Sequence, residues 1–181
     1  EAIEAYKAAV MSEGDEVESE KVTLTPQPQV SLTIEDQSTG YVVAMIGGRG
    51  TKEASRTFNR ASNATRQPGS TFKVLSTYAP ALDSAGATLA SVQNDAPYSY
   101  ANGRPIANHW GKTYRGLLSY RYAITWSANV VTVKALTQIT PQLGFDYLQN
   151  FGFNTLVERR VMKDGTVLSD IGQPLALGGI T

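Results

Sequence analysis

The spacing of apolar residues changes period twice along this chain, and that change restricts the folds open to it. In Val30-Ser-Leu-Thr-Ile34 apolar and polar side chains alternate, the period of a strand. Asp36-Gln-Ser-Thr-Gly40 has turn chemistry, and Tyr41-Val-Val-Ala-Met-Ile46 is a second β-rich run, so the two runs are predicted to form a hairpin. The second run is apolar on both faces, which predicts a strand inside a sheet covered on both sides. Gly47-Gly48-Arg49-Gly50 ends it, and residues 51–67 are polar and without period, a loop with short helical pieces. From Pro68-Gly69 the spacing becomes helical. Phe72, Leu75, Ala79 and Leu82 fall on one side, and Pro80 is expected to bend or loosen the last turn. Helical patterns return over Leu117 to Ile124, Val130 to Ile139 and Phe145 to Phe151. Before the hairpin, Glu1 to Val10 reads as a helix and residues 11–21 as an acidic, solvated link. Residues 93–113, rich in Asn, Pro, Gly and Tyr, read as a long loop, and long loops inside compact domains are often functional. Leu175-Ala-Leu-Gly-Gly-Ile-Thr181 reads as an ending without a terminal element.

The chain of 181 residues is long enough for one domain or a large piece of one. Its 16 basic and 16 acidic residues balance, so no net field draws it to nucleic acid or to an anionic membrane. There is no Cys for disulfide or thiolate chemistry, and with His109 as the single His a zinc site of ordinary ligands is not expected. No cofactor is expected either. Gly111-Lys112-Thr113 has Ile106 where a phosphate loop needs Gly, and Gly48-Arg-Gly50 has Glu53 where a dinucleotide loop needs its last Gly. No apolar run of about 18 residues spans a bilayer, and the chain, with no signal peptide or initiator Met, reads as an excised or processed piece.

Arg66-Gln-Pro-Gly-Ser-Thr-Phe-Lys73 carries chemistry. Ser70 and Lys73 lie three apart at a helix start, where side chains share a face. Free backbone N–H groups there stabilise a developing alkoxide or oxyanion and disfavour an ammonium. A neutral Lys73 amine can then take the Ser70 proton and make it a nucleophile without any His. Taken alone, such a pair also arises by chance. Downstream, Ser127-Ala-Asn129 sits between helical stretches, where the hydroxyl suits a proton relay and the amide suits a substrate backbone or the orientation of Lys73. Taken alone, that triplet is equally a loop Ser with an Asn capping the next helix. Trp126 beside it reads as core before cleft wall.

Together, the segment from Arg66 to Lys73 and Ser127-Ala-Asn129 resemble the penicillin-binding proteins, serine acyltransferases of bacterial cell-wall synthesis. The flanks Thr39 to Gly48, Phe58-Asn-Arg-Ala61, Tyr78-Ala-Pro-Ala-Leu82, Asn108-His-Trp110 and Leu175-Ala-Leu-Gly-Gly179 resemble the class A, bifunctional branch. The resemblance runs from about Val22 to the last residue. It implies an α/β (α+β) fold of the penicillin-binding and serine β-lactamase type, a largely antiparallel sheet flanked by helices, incomplete in this chain. Residues 1–21 are expected to be a connecting segment after an absent glycosyltransferase domain, and 22–181 the N-terminal portion of the transpeptidase domain.

The resemblance implies a peptidoglycan D,D-transpeptidase. Ser70 would attack the carbonyl between two terminal D-alanines of a stem peptide, and an amine of a neighbouring stem would resolve the acyl-enzyme. Lys73 would be the base, Ser127 the proton relay, Asn129 a ligand of the substrate amide, and the Ser70 backbone N–H half of the oxyanion hole. The implied partners are peptidoglycan stem peptides, β-lactam antibiotics and the cell-wall synthesis machinery. The implied place is the bacterial envelope, on the external face of the cytoplasmic membrane, anchored by an N-terminal helix absent from this chain. No Lys-Thr-Gly or Lys-Ser-Gly follows Ser127. The isolated chain is therefore expected to be weak or inactive. The rival readings are a penicillin-binding sensor or inactive binding module and a serine β-lactamase, for which the candidate Glu158 lacks an Asn in reach.

Overall fold

The computed structural model describes residues 2–21, 23, 27–52, 54–111 and 113–181, which fall into two compact units, Glu1–Ala64 and Thr65–Thr181.

In the first unit, helix α1 (Ala2–Val10) carries an ion pair from Lys7 Nζ to Glu20 Oε2 at 2.6 Å. The hairpin forms as its period requires, with β1 (Leu32–Asp36) antiparallel to β2 (Tyr41–Ile46). At its turn the Asp36 carboxylate accepts the Ser38 N–H at 2.9 Å, and Gly40 takes a φ of 73°. The expectation of a sheet covered on both sides is not met. Every residue of β1 and β2 is exposed, with Tyr41 at 74% and Val43 at 64%. Strand pairing satisfies backbone groups, whereas burial of a face needs a second layer, and the short helix that touches β2 leaves every residue of the strand exposed. A four-residue helix, α2 (Arg60–Asn63), is capped by the Asn59 side chain.

The second unit is built around α5 (Asn129–Ile139), whose residues Val130 to Val133, Ala135 and Leu136 are all buried. Apolar clusters lie on both of its sides. One joins Phe72, Val130, Val133, Leu136, Phe145 and Leu148, and the other joins Tyr78, Ala81, Leu118, Tyr120, Ala123 and Val131. The helical segment that begins at Gly69 opens with a 3-10 turn (Gly69–Thr71), widens to a π-turn (Val74–Tyr78) and ends as α3 (Ala79–Asp83). Pro80 accounts for the widening. It has no N–H to give, and its ring clashes with the carbonyl four residues back. That carbonyl, of Ser76, lies against Gly144 instead. The wide turn adds a residue and shifts the buried face, so Tyr78, Pro80 and Ala81 are buried and Leu82 is 37% exposed, against the helical spacing read above.

Leu117 and Leu118 are strand, not helix. β4 (Gly116–Ser119) pairs antiparallel with β3 (Val92–Asp95), and α4 (Tyr120–Thr125) starts only at the Ser119 cap. Pairing with a distant strand overrides the local apolar spacing. Helix α6 (Pro141–Asn150) begins four residues before the pattern suggested, because Thr140 caps it and Pro141 suits its first position. A small pair, β5 (Arg160–Val161) with β6 (Val167–Leu168), follows. The end of the chain does carry an element, a 3-10 helix over Gln173–Leu177, packed on α5. Among the described residues the three strand pairs are antiparallel, as the fold class requires, and form separate two-stranded sheets, the first of them exposed on both strands.

Candidate active site

Lys73 is the best-fixed side chain of the group. It is 3% exposed, and its Nζ donates to Ser127 O at 2.6 Å, Ser127 Oγ at 2.8 Å and Asn129 Oδ1 at 2.6 Å. Burial holds its pKa down to about 8, because removing an ammonium from water disfavours the charged form. The Asn129 amide is oriented without ambiguity, since its Nδ2 donates to Ala107 O at 2.7 Å and so turns Oδ1 toward Lys73.

Ser70 stands in the 3-10 turn, exposed, and its Oγ makes no hydrogen bond among the described residues. Lys73 comes two residues after that turn, three positions beyond Ser70 on the same helical segment. Gly69 enters the turn with a φ of 59°, a conformation that costs a larger residue energy. The last segment of the chain braces this turn. Gln67 Nε2 donates to Ile180 O at 2.8 Å, and Ser76 Oγ donates to Leu175 O at 3.2 Å. A cleft of about 800 Å3 opens beside Gly69 and Ala107, walled by Tyr100, Arg104, Gln173 and Gly178.

Thus Lys73, Ser127 and Asn129 meet at one point, with Ser70 one turn away at the surface. The helix-capping alternative for Asn129 does not hold. The N-cap of α5 is Ala128, whose side chain has nothing to give, and the free N–H groups of Asn129 and Val130 donate to Asn108 Oδ1 at 2.9 and 3.2 Å. Asn108 is buried, and its Nδ2 donates to the buried Asp95 carboxylate at 2.8 Å. Sequence reading passed over both residues as site members. The signal available was the long loop rich in Asn ahead of a helix start whose neighbouring polar residues, Ser127 and Asn129, were already assigned to Lys73.

Trp126 is not core. It is 48% exposed and lies in a stack with Arg115, Tyr122 and Trp110, the Arg115 guanidinium carbon sitting 4.2 Å from the Trp110 ring centre. His109 is exposed and packs edge-on against Trp110 at 4.8 Å. Lys112 of Gly111-Lys112-Thr113 lies outside the described residues.

With this geometry in view, residues 30–168 match the family described as the penicillin binding protein transpeptidase domain. The chain belongs to that family. Among its relatives, penicillin-binding protein 1A of Clostridium tetani (strain Massachusetts / E88) is 35% identical over 163 residues, covering 86% of this chain and 20% of the relative. Penicillin-binding protein 1A of Neisseria cinerea is 39% identical over 137 residues, covering 73% and 17%. The crystal structure of penicillin-binding protein 1A from Haemophilus influenzae superposes with a TM-score of 0.61 at 28% identity, covering 84% of this chain and 20% of that one. The chain thus spans about a fifth of the length of the relatives it matches. These matches give it the penicillin-binding transpeptidase fold, and the matched span crosses both compact units. Among the described helices none is long and apolar enough to cross a membrane.

Proposed function

We propose that this penicillin-binding chain carries the nucleophile, base and relay of a peptidoglycan D,D-transpeptidase. The observation that carries the reading is the buried, deprotonable Lys73 amine, held by Ser127 and Asn129 one turn from an exposed Ser70 at a helix start.

With a pKa of about 8, roughly a tenth of Lys73 is neutral at pH 7. A neutral amine keeps two N–H groups, which donate to Ser127 O and Asn129 Oδ1, and a lone pair free to take a proton. Ser70 Oγ bonds to the carbonyl carbon between the two terminal D-alanines, and its proton passes to Lys73. The backbone N–H of Ser70, at the start of the helical segment, faces the developing oxyanion. The carbon–nitrogen bond then breaks. The leaving amine takes a proton from Lys73 through Ser127 Oγ, and the last D-alanine departs. An amine of a neighbouring stem attacks the ester, forms the cross-link and returns the proton to Ser70. Asn129 has one Nδ2 proton left for a substrate carbonyl, so it serves both Lys73 and the donor peptide.

Peptidoglycan stem peptides and β-lactams are the ligands of this reading, with the cell-wall synthesis machinery as its setting. The place of action is the bacterial envelope, outside the cytoplasmic membrane. Mass spectrometry after exposure of the full-length protein to a β-lactam is expected to locate one adduct on the peptide bearing Ser70, absent in Ser70→Ala. An adduct that persists in Ser70→Ala, or no adduct in the wild type, overturns the proposal. Slow release of the adduct, and its transfer to an added amine, separate a transferase from a β-lactamase and from a sensor.

A further inference from the structure

We propose that Asn108 is a positioning residue of this site: its buried side chain, anchored on Asp95, caps α5 from outside and thereby holds Ser127 and Asn129 against Lys73. The inference rests on the reading of Lys73 as the base.

A helix start leaves N–H groups without partners, and the usual remedy is a Ser, Thr, Asp or Asn at the cap whose own oxygen turns back onto them. Here the residues available for that task, Ser127 and Asn129, flank an apolar cap, Ala128. Their side chains cannot both serve the helix start and meet Lys73. Asn108, from the loop between β3 and β4, resolves the conflict by accepting both the Asn129 and the Val130 N–H through one oxygen. Its nitrogen donates to Asp95 Oδ1, and Asp95 Oδ2 accepts the Arg115 N–H at 2.9 Å. Every polar atom in this chain of bonds is therefore in use, and no buried side-chain nitrogen or oxygen lacks a partner among the described residues. The neighbouring Ala107 carbonyl meanwhile takes the Asn129 amide N–H. Ser127 itself has a φ of 49°, a conformation a residue with a side chain holds only when its surroundings enforce it. Asn108 grips the backbone of Asn129 and Ala107 its side chain, while Lys73 Nζ holds the Ser127 carbonyl.

The test is a titration of the Lys73 side chain by NMR, with hydrogen exchange at the Asn129 and Val130 amides, on the whole chain. In Asn108→Ala the two amides are expected to exchange at least about tenfold faster, since each loses its partner. The Lys73 midpoint is expected to rise from about 8 toward the ordinary 10.5 as loosened residues 127–129 admit water. Leu148→Ala, a core truncation in α6, is expected to lower stability and leave the Lys73 midpoint in place. Asn108→Asp sets two carboxylates against each other and is expected to be worse than Asn108→Ala. Adding Asp95→Asn to it rebuilds all four hydrogen bonds with the roles reversed and is expected to restore both readouts, which keeps the test decisive if Asn108→Ala does not fold. A Lys73 midpoint unmoved in folded Asn108→Ala, an equal rise in Leu148→Ala, or no rescue by the reversed pair overturns the proposal. None of these readouts needs transfer activity, so failure of the proposed function, read from labelling at Ser70, is separately visible.

Discussion

The backbone of Gly178 lies against that of Gly69, the residue before Ser70, so closely that a β-carbon on Gly178 would stand 2.5 Å from the Gly69 nitrogen and closer still to its carbonyl oxygen. Gly178 also has a φ of 69°. Gly178→Ala is therefore expected to push the nucleophile turn outward and to slow β-lactam acylation of Ser70 by tenfold or more in the full-length protein. The fold should survive, at a cost of about 1–3 kcal/mol. Stopped-flow labelling beside circular dichroism checks this, and an unchanged rate in a folded variant would show that the turn does not depend on that contact.

Acylation is expected to follow the neutral fraction of Lys73. The rate should climb with pH up to about 8 and level off above it, because the amine takes the Ser70 proton only when uncharged. A rate flat between pH 6 and 9 would assign the base elsewhere.

Asn129→Asp places a carboxylate where Oδ1 now lies 2.6 Å from Lys73 Nζ. An opposite charge at that distance favours the ammonium, so the acylation profile should move to higher pH and the rate at pH 7 should fall by tenfold or more. The same variant loses the donor to Ala107 O. Asn129→Ala, which removes the contact without adding charge, separates the two effects if its profile stays in place.

The buried Lys73 also makes stability depend on pH. Below about 8 it is charged in the folded and the unfolded chain alike, and the cost of burying that charge is fully present. Between about 8 and 10.5 the unfolded chain still holds the proton that the folded chain has released, so stability rises with pH by at most about 3 kcal/mol. Urea denaturation of the wild type and Lys73→Met across this window, compared by difference, is expected to show that rise in the wild type alone.

Gly144 packs against the Ser76 carbonyl displaced by Pro80, and a β-carbon there would also meet Leu136 Cδ1 at 2.7 Å. Gly144→Ala is expected to cost about 2–3 kcal/mol, read as a lowered denaturation midpoint. An unaltered midpoint would mean that α6 shifts freely away from the π-turn.

Much of the site was legible in the chain because its chemistry is local. Ser70 and Lys73 are three apart at one helix start, where local spacing alone puts them on one face. Ser127 and Asn129 sit two apart in the break before another helix, near enough to be read as a pair, although their shared direction rests on the φ of 49° at Ser127. Asn108 and Asp95 were not legible as site residues. Their contribution is a set of hydrogen bonds across chain separations that no period reports, and an Asn in a long loop looks the same whether it caps a distant helix or faces water. The fold divided along the same line. The hairpin of β1 and β2, the helix α5 and the break before it followed from period and turn chemistry, whereas Leu117 and Leu118 joined a strand because Val92 to Asp95 lay ready to pair with them.

By itself the sequence determined which residues can do chemistry, where turns and helix starts must fall, and that Pro80 would disturb its helix, since backbone sterics and side-chain period act over a few residues. Tertiary structure alone decided that the disturbance would be a π-turn seated on Gly144, that Lys73 would be buried deeply enough to release its proton near pH 8, and that α5 would be capped from a distant loop. Burial and remote hydrogen bonds depend on which segments meet in space, and that is set by the packing of the whole unit around α5.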